Sequence, residues 1–139
     1  MQKTTKTLLR TCITLSTGIL LGAFGMGALY AQQSGIKRTV LLKHELSVQG
    51  RDAVMGHAEI VSGLETGKHT HPGEEMGYVL EGELVLEADG KPARTLKPGD
   101  TYFIEAGQTH NAKASGTSPV KVLAVYIVEK DKPFAAPVK

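Results

Sequence analysis

Residues 63–82 read GLETGKHTHPGEEMGYVLEG and place three candidate metal ligands, His69, His71 and Glu75, within seven residues. Side chains of an extended strand alternate between its faces, so His69 and His71 point to the same side, with their Cα atoms roughly 6.5 to 7 Å apart. A Pro-Gly break then lets the chain turn and bring the Glu75 carboxylate beside the two imidazoles. This stretch therefore predicts most of a metal site.

A fourth candidate ligand, His110, lies in residues 99–114, which read GDTYFIEAGQTHNAKA. Because these residues follow the first block by several turns, His110 must reach the site from a different strand. The two blocks together predict a site made of imidazole nitrogen and carboxylate oxygen.

The first thirty or so residues resemble an export signal rather than part of a folded domain. Three basic residues and no acidic one begin the chain, residues 13–30 are apolar, and small residues precede a predicted cleavage after Ala31. An uncleaved membrane anchor is the alternative, since the uncharged run over residues 11–30 approaches the roughly 20 residues that span a bilayer. Its hydroxyl side chains and glycines favour a cleaved signal, which predicts a periplasmic or secreted protein without stable membrane association.

Removal of residues 1–31 changes the charge of the protein. These residues carry three of the sixteen basic side chains and none of the fourteen acidic ones, so the mature chain has a formal charge of −1 with histidine neutral. No basic stripe with interleaved aromatic residues survives, which argues against nucleic acid as a partner. The single cysteine, Cys12, is lost as well, so thiolate ligands and disulfides are excluded from the mature chain.

The mature chain is long enough for one domain and reads as short strands separated by turns, which predicts an all-β antiparallel sandwich or barrel. The domain is expected over residues 39–129, between a linker at 32–38 and an extended or mobile tail at 130–139. The predicted strands cover residues 40–47, 53–61, 68–71, 75–80, 83–88, 93–96, 101–104, 109–114 and 120–129.

Two turns and one strand position follow from local sequence. Asp89-Gly90 predicts a tight hairpin, and residues 97–100, Lys-Pro-Gly-Asp, suit a turn with Pro second and Gly third. The strand at 120–129 is apolar on both faces, so we expect it to be central or at an interface.

Both ligand blocks resemble the two short motifs of the cupin superfamily. The first motif reads Gly, five residues, His-x-His, three or four residues, Glu, six residues, Gly, and residues 63–82 match every position. The second reads Gly, five residues, Pro-x-Gly, two residues, His, three residues, Asn, and its matched positions are Gly99, Gly107 and His110. Glu105 replaces the Pro and Ala114 replaces the Asn, but neither departure removes a ligand, and Gly107 can still make the turn.

The resemblance implies a small bacterial single-domain cupin, a β-barrel or jelly roll that is often a homodimer. It also implies one divalent transition metal, Fe, Mn, Ni, Cu or Zn, on His69, His71, Glu75 and His110. Such an ion retains one or two open positions, so a small-molecule ligand or substrate is expected.

The superfamily implies no single reaction. A dioxygenase-like oxidation of a small chelating organic substrate is our leading hypothesis. The alternatives are a non-catalytic periplasmic binding module for a small carboxylate, sugar or metal ion, and a non-oxidative decarboxylase, for which Glu105 is the candidate acid.

Several other residues have simpler roles. His44 and Glu74 are expected at the surface. His57 has small neighbours, so two locations stay open for it, the surface and the lining of the pocket. Gly77 marks either a bend or space for a ligand. The aromatic residues expected in the core or at the rim, where an inward hydroxyl could orient a substrate, are Tyr78, Tyr102 and Phe103.

Overall fold

A computed structural model describes residues 34–139. The predicted signal peptide, residues 1–31, and the first two residues of the predicted linker lie outside the described residues. Within residues 34–139, no helix has the length and apolar character needed to cross a bilayer.

Within the described residues, ten strands form two five-stranded antiparallel sheets. The first sheet has the order β1-β2-β9-β4-β7 and the second has the order β10-β3-β8-β5-β6. The strands are β1 (Ile36–Glu45), β2 (Arg51–Ile60), β3 (His69–Thr70), β4 (Gly73–Glu81), β5 (Leu84–Ala88), β6 (Arg94–Leu96), β7 (Thr101–Ile104), β8 (His110–Ala114), β9 (Val120–Glu129) and β10 (Ala136–Pro137). The all-β antiparallel prediction is confirmed.

The chain ends differ from the sequence-based expectation. Strand β1 begins at Ile36, so residues 36–38 are strand rather than linker. Ile36 pairs with Ile60 and is 1% exposed, which explains why the strand begins there. At the other end, residues 136–137 of the predicted tail form β10, which pairs with β3.

Turns form at both predicted places, but the first is not the predicted tight hairpin. The Lys91 amide donates to the Ala88 carbonyl at 3.0 Å and Gly90 has a φ of +79°, whereas Asp89 lacks the positive φ that a two-residue hairpin turn requires. Strands β5 and β6 pair from Leu86 and Arg94, so a longer loop joins them. The Asp100 amide donates to the Lys97 carbonyl at 2.9 Å, and Gly99 at the third position has a φ of +96°. The turns at residues 88–91 and 97–100 thus depend on glycines that adopt positive φ.

The hydrophobic core lies between the inner faces of the two sheets. Its largest fully buried side chains are Ile36, Ile60, Leu84, Leu96, Ile104, Val79 and Val120. Strand β9 lies between β2 and β4, which confirms the prediction of a central strand. Its inward residues Val122 and Ala124 are buried.

The outer face of the first sheet carries an apolar row that crosses all five strands. Register pairs connect its members in sequence across the sheet, and we call this set the outer row: Leu42, Met55, Val125, Met76 and Phe103. Leu42, Met76 and Phe103 are 53%, 41% and 49% exposed. The first sheet therefore has two apolar faces, of which only the inner one is covered within the described residues.

Candidate metal centre

Three imidazoles meet at one end of the space between the sheets. His69 in β3 and His110 in β8 are direct partners across the second sheet, so their side chains share a face. Their ring centroids lie 4.2 Å apart, and the His71 ring lies 4.9 Å from His69 and 5.2 Å from His110. One coordinating atom from each lies within 4.8 Å of the others, so the three histidines could hold one ion.

The fourth predicted residue comes from the opposite sheet. Glu75 points inward from β4 and is only 4% exposed. Its Oε2 atom lies 3.3 Å from His71 Nε2 and 3.2 Å from His110 Nε2. Glu75 thus contacts two of the three imidazoles, while the group whose coordinating atoms lie within 4.8 Å of one another consists of the three histidines.

The hydrogen bonds of the imidazoles fix their tautomers. Each Nδ1 faces a backbone carbonyl: His69 that of Gly67 at 2.8 Å, His71 that of Phe134 at 2.7 Å, and His110 that of Gln108 at 3.0 Å. A carbonyl oxygen can only accept, so each Nδ1 must carry the proton and donate. Each Nε2 is left to serve as a metal ligand, in the arrangement that metal-binding histidines usually show.

Two polar atoms at the centre are the strongest sign that these residues fit a cation. Among the described residues, His71 Nε2 and Glu75 Oε2 are the buried side-chain atoms without a hydrogen-bond partner. They are 3.3 Å apart, but their geometry does not make a hydrogen bond. Since buried polar atoms are nearly always paired, a divalent ion is the partner that would satisfy both.

The close packing of these groups changes their protonation. Burial opposes the ionisation of Glu75, but its polar contacts with His110 and His71 outweigh burial and hold the pKa of the carboxyl well below its usual range. Burial also opposes the charge on His110, yet Glu75 outweighs it and raises the pKa of this imidazole. Burial lowers the pKa of His69 to about 4, so His69 is neutral near pH 7.

Tyr102 holds the other oxygen of the carboxylate. Its hydroxyl donates to Glu75 Oε1 at 2.7 Å from β7, the strand next to β4. Burial and the charge of Glu75 raise the pKa of the Tyr102 hydroxyl well above its usual value, so it remains a donor. The sequence analysis considered an inward tyrosine hydroxyl that orients a substrate. The Tyr102 hydroxyl does point inward, but the group it orients is the carboxylate of Glu75.

Gly77 makes this contact possible. A Cβ atom at Gly77 would lie 2.0 Å from Cζ of Tyr102, so the ring occupies the space that a side chain would need. Of the two alternatives for Gly77, space for a bound ligand is excluded, because the Tyr102 ring fills that space.

Asn111 is a supporting residue that the sequence analysis missed. It follows His110 in β8, is 5% exposed, and donates from Nδ2 to Glu65 Oε2 at 2.9 Å and Glu87 Oε2 at 3.2 Å. These bonds brace the strand that carries His110. The only signal was a polar residue directly after a ligand, which is too common to be informative.

The remaining candidates lie away from the cluster. His44 is exposed, and His57 lies on the outer face of the first sheet, opposite Leu123, so it does not line the site. Glu105 is exposed and pairs with Lys91 at 3.2 Å.

Sequence comparisons identify proteins that are similar to this chain. The family model described as "Cupin domain" matches residues 56–126. The Oxalate-binding protein of Thermotoga maritima is 32% identical over 98 residues, which cover 68% of this chain and 80% of that protein. The dimethylsulfoniopropionate lyase DddQ of Ruegeria pomeroyi is 41% identical over 49 residues, which cover 35% of this chain and 24% of the lyase.

Solved structures show the same fold. The crystal structure of DddQ from Ruegeria pomeroyi matches with a TM-score of 0.65 at 22% identity, covering 81% of this chain and 55% of the lyase chain. An uncharacterised protein with a double-stranded β-helix domain from Klebsiella pneumoniae matches with a TM-score of 0.63 at 24% identity, covering 76% of this chain and 86% of that one. This chain thus spans less than two thirds of the lyase.

The contact between Gly77 and Tyr102 gives a testable prediction. Gly77→Ala should destabilise the protein by about 1–3 kcal/mol, because the new methyl group overlaps a buried ring. Gly56→Ala is the matched control, since it is also on an inward strand position and its Cβ would meet its nearest atom, the Thr39 carbonyl oxygen, at 3.6 Å. Denaturant unfolding measures the free energy of unfolding of both variants, and Gly77→Ala should lose more of it than Gly56→Ala.

The assignment of this cost to Tyr102 is tested by combining Gly77→Ala with Tyr102→Ala. The smaller side chain frees the space, so the two changes should be strongly non-additive. Additive costs would show that Gly77 does not serve to accommodate Tyr102.

Proposed function

Because this chain belongs to the cupin domain family, we propose that it is an exported metal-binding protein that captures a small carboxylate at its metal centre. The proposed ligands are His69, His71, Glu75 and His110. The observation that carries the proposal is the pair of buried, unpartnered atoms, His71 Nε2 and Glu75 Oε2, at the point where the imidazoles converge.

The donor set is suited to a transition metal and to an anionic ligand. Nitrogen and oxygen donors without sulfur suit Mn, Fe, Co, Ni, Cu or Zn, and metal availability decides among them. A bound divalent ion would supply positive charge and open coordination positions, because three neutral imidazoles and one carboxylate offset only one of its two charges. The similarity to an oxalate-binding protein supports oxalate or a related small carboxylate as the ligand.

Residues of the chain itself shape the surroundings of the site. Tyr102 donates to Glu75 and holds it in one orientation. The rings of Tyr126 and Phe134 pack against His71 with centroids 5.0 Å away in both cases. These rings displace water from one side of the imidazole, and exclusion of water strengthens the attraction between opposite charges.

An enzymatic function is the second candidate. Four protein donors leave up to two positions on an octahedral ion, which supports a dioxygenase-like oxidation of a small chelating substrate as well as simple binding. The exposure of Glu105 and its pairing with Lys91 remove the support for a decarboxylase that uses this residue as its acid.

Export and a homodimer complete the proposal. The basic start and apolar run of residues 1–31 support a periplasmic or secreted location. The outer row supports association with a second copy, because it exposes Leu42, Met76 and Phe103 on a sheet face.

The proposed function is tested by metal and oxalate titrations. The purified, chelator-stripped protein should bind one equivalent of Co²⁺ or Zn²⁺, and calorimetry should detect oxalate binding in the metal-loaded form only. His71→Ala and His110→Ala should each lose most of the metal affinity. His44→Ala and His57→Ala are matched controls from outside the cluster and should bind normally.

Equal metal content in all four variants would refute the ligand assignment. Metal binding without oxalate binding would refute the carboxylate proposal alone. Oxygen uptake by the Fe, Mn, Ni or Cu form in the presence of small phenols or keto acids would establish the enzymatic candidate instead.

The protonation of His110 predicts a pH dependence. Because the pKa of His110 is raised above the usual imidazole value of 6.5, a proton competes with the metal at His110 already above that pH. His69, with a pKa of about 4, competes only in strong acid. Metal affinity should therefore weaken about tenfold per pH unit as pH falls below the pKa of His110. Co²⁺ titrations from pH 8 to 5.5 measure this, and a flat profile would contradict it.

If the outer row forms the homodimer interface, a charge introduced into this row should separate the two subunits. Light scattering should give twice the chain mass for the wild type, and Phe103→Glu should give the monomer because it buries a charge in the interface. Thr95→Glu, at an exposed position of the second sheet, is the control and should remain dimeric. A monomeric wild type would refute the dimer.

A further inference from the structure

The C-terminal segment lies directly on the strand that carries His69. Ala136 and Pro137 pair with Thr70 and His69, and the Val138 amide donates to the Lys68 carbonyl at 2.9 Å. The segment thus extends the second sheet by one short strand at the edge of the metal centre. We call residues 130–139 the C-terminal strap.

His71 depends on this strap in a way that the other two imidazoles do not. The Nδ1 partners of His69 and His110 are the carbonyls of Gly67 and Gln108, each two residues away along the chain. The Nδ1 partner of His71 is the carbonyl of Phe134, which is 63 residues away, at 2.7 Å. Without the strap, His71 loses the acceptor that keeps its proton on Nδ1.

The side chain of Phe134 adds a second contact. Its ring lies edge-on to His71 at 5.0 Å and to Tyr126 at 4.6 Å, and Tyr126 also contacts His71 at 5.0 Å. The imidazole is therefore held from two sides, by a carbonyl at Nδ1 and by two aromatic rings. Both restraints keep Nε2 directed towards Glu75.

Lys130 anchors the start of the strap, because its amide donates to the Gly50 carbonyl at 2.9 Å and its ammonium pairs with Glu45 at 2.9 Å. Most of the surface of the strap beyond Lys130 faces solvent. Phe134 is half-buried, whereas the other nine residues of the strap are exposed. Its pairing with β3 covers two residues. A segment attached so lightly can detach without unfolding the core, which makes its docking sensitive to the state of His71.

We propose that the C-terminal strap is part of the metal centre, with the Phe134 carbonyl as the positioning group of His71, and that strap docking and metal binding stabilise each other. This inference rests on the proposed metal-binding function. Because coupling between two binding events is reciprocal, the docked strap raises metal affinity and the metal holds the strap in place. Loss of a supporting contact to a metal ligand typically lowers metal affinity 10- to 100-fold.

The first test removes residues 133–139, the part of the strap that carries Phe134 and β10. A chain that ends at Lys132 should bind Zn²⁺ 10- to 100-fold more weakly than the full chain in competition with a chelator. Phe134→Ala keeps the carbonyl but loses the ring, so its affinity should fall less. His44→Ala changes an exposed residue of β1 outside the strap, and it should bind as the wild type does. Circular dichroism establishes that each variant is folded.

Two further readouts do not depend on any activity. In the metal-free protein, nitrogen NMR should show His71 protonated on Nδ1 in the full chain and a mixture of tautomers in the shortened chain, with His69 and His110 unchanged. In the full chain, hydrogen exchange of the Val138 amide should slow when Zn²⁺ is added.

The outcomes separate this inference from the proposed function. If the full chain binds no metal, the proposed function fails and the coupling fails with it. If the full chain binds metal but the shortened chain and Phe134→Ala bind equally well, the ligand set stands and the role of the strap is refuted. A shortened chain that does not fold leaves the decision to Phe134→Ala and to the Val138 exchange rate, either of which can refute the coupling.

Discussion

The architecture of the site depends on the burial of one carboxylate, that of Glu75. A carboxylate at 4% exposure is strongly disfavoured unless other groups compensate its charge, and breaking a buried ion pair costs about 3–5 kcal/mol. Tyr102 occupies Oε1, and Oε2 faces His71 and His110. Without metal, Glu75 favours a proton on His110, because the carboxylate raises the pKa of this imidazole. A divalent ion at the Nε2 atoms would take the place of that proton.

The same strand that buries Glu75 also builds the core. Glu75, Gly77 and Val79 are successive inward positions of β4, so the inner face changes from carboxylate to glycine to fully buried valine in two steps. Gly77 is needed because the ring of Tyr102 must lie against β4 to reach Glu75. The strand thus joins the polar end of the interior to its apolar end, with the aromatic ring between them.

Much of the fold and the ligand set could be predicted because their determinants are local. The His-x-His spacing places His69 and His71 together, and the turns at Gly90 and Gly99 follow from residues that accept positive φ. Turn signals between short segments predicted the strands, and the apolar residues on both faces of β9 predicted its central position. The contacts of Tyr102 and Asn111 could not be predicted, since each joins strands far apart in sequence. The start of β1 at Ile36 was not predicted for the same reason, because Ile36 is buried by residues distant in sequence, including its pairing partner Ile60.

The three imidazoles differ in how far along the chain the carbonyl lies that accepts a hydrogen bond from Nδ1. The carbonyls that orient His69 and His110 come from within two residues, so any chain that keeps those local turns keeps both orientations. The carbonyl that orients His71 comes from Phe134, in a tail whose composition gave no sign of a role in the site. Every residue type has a main-chain carbonyl, so the identity of the residue at this position does not reveal the hydrogen bond, and a sequence motif cannot predict it. Two chains with identical ligand motifs can therefore hold this histidine differently, depending on where their C-terminal residues dock.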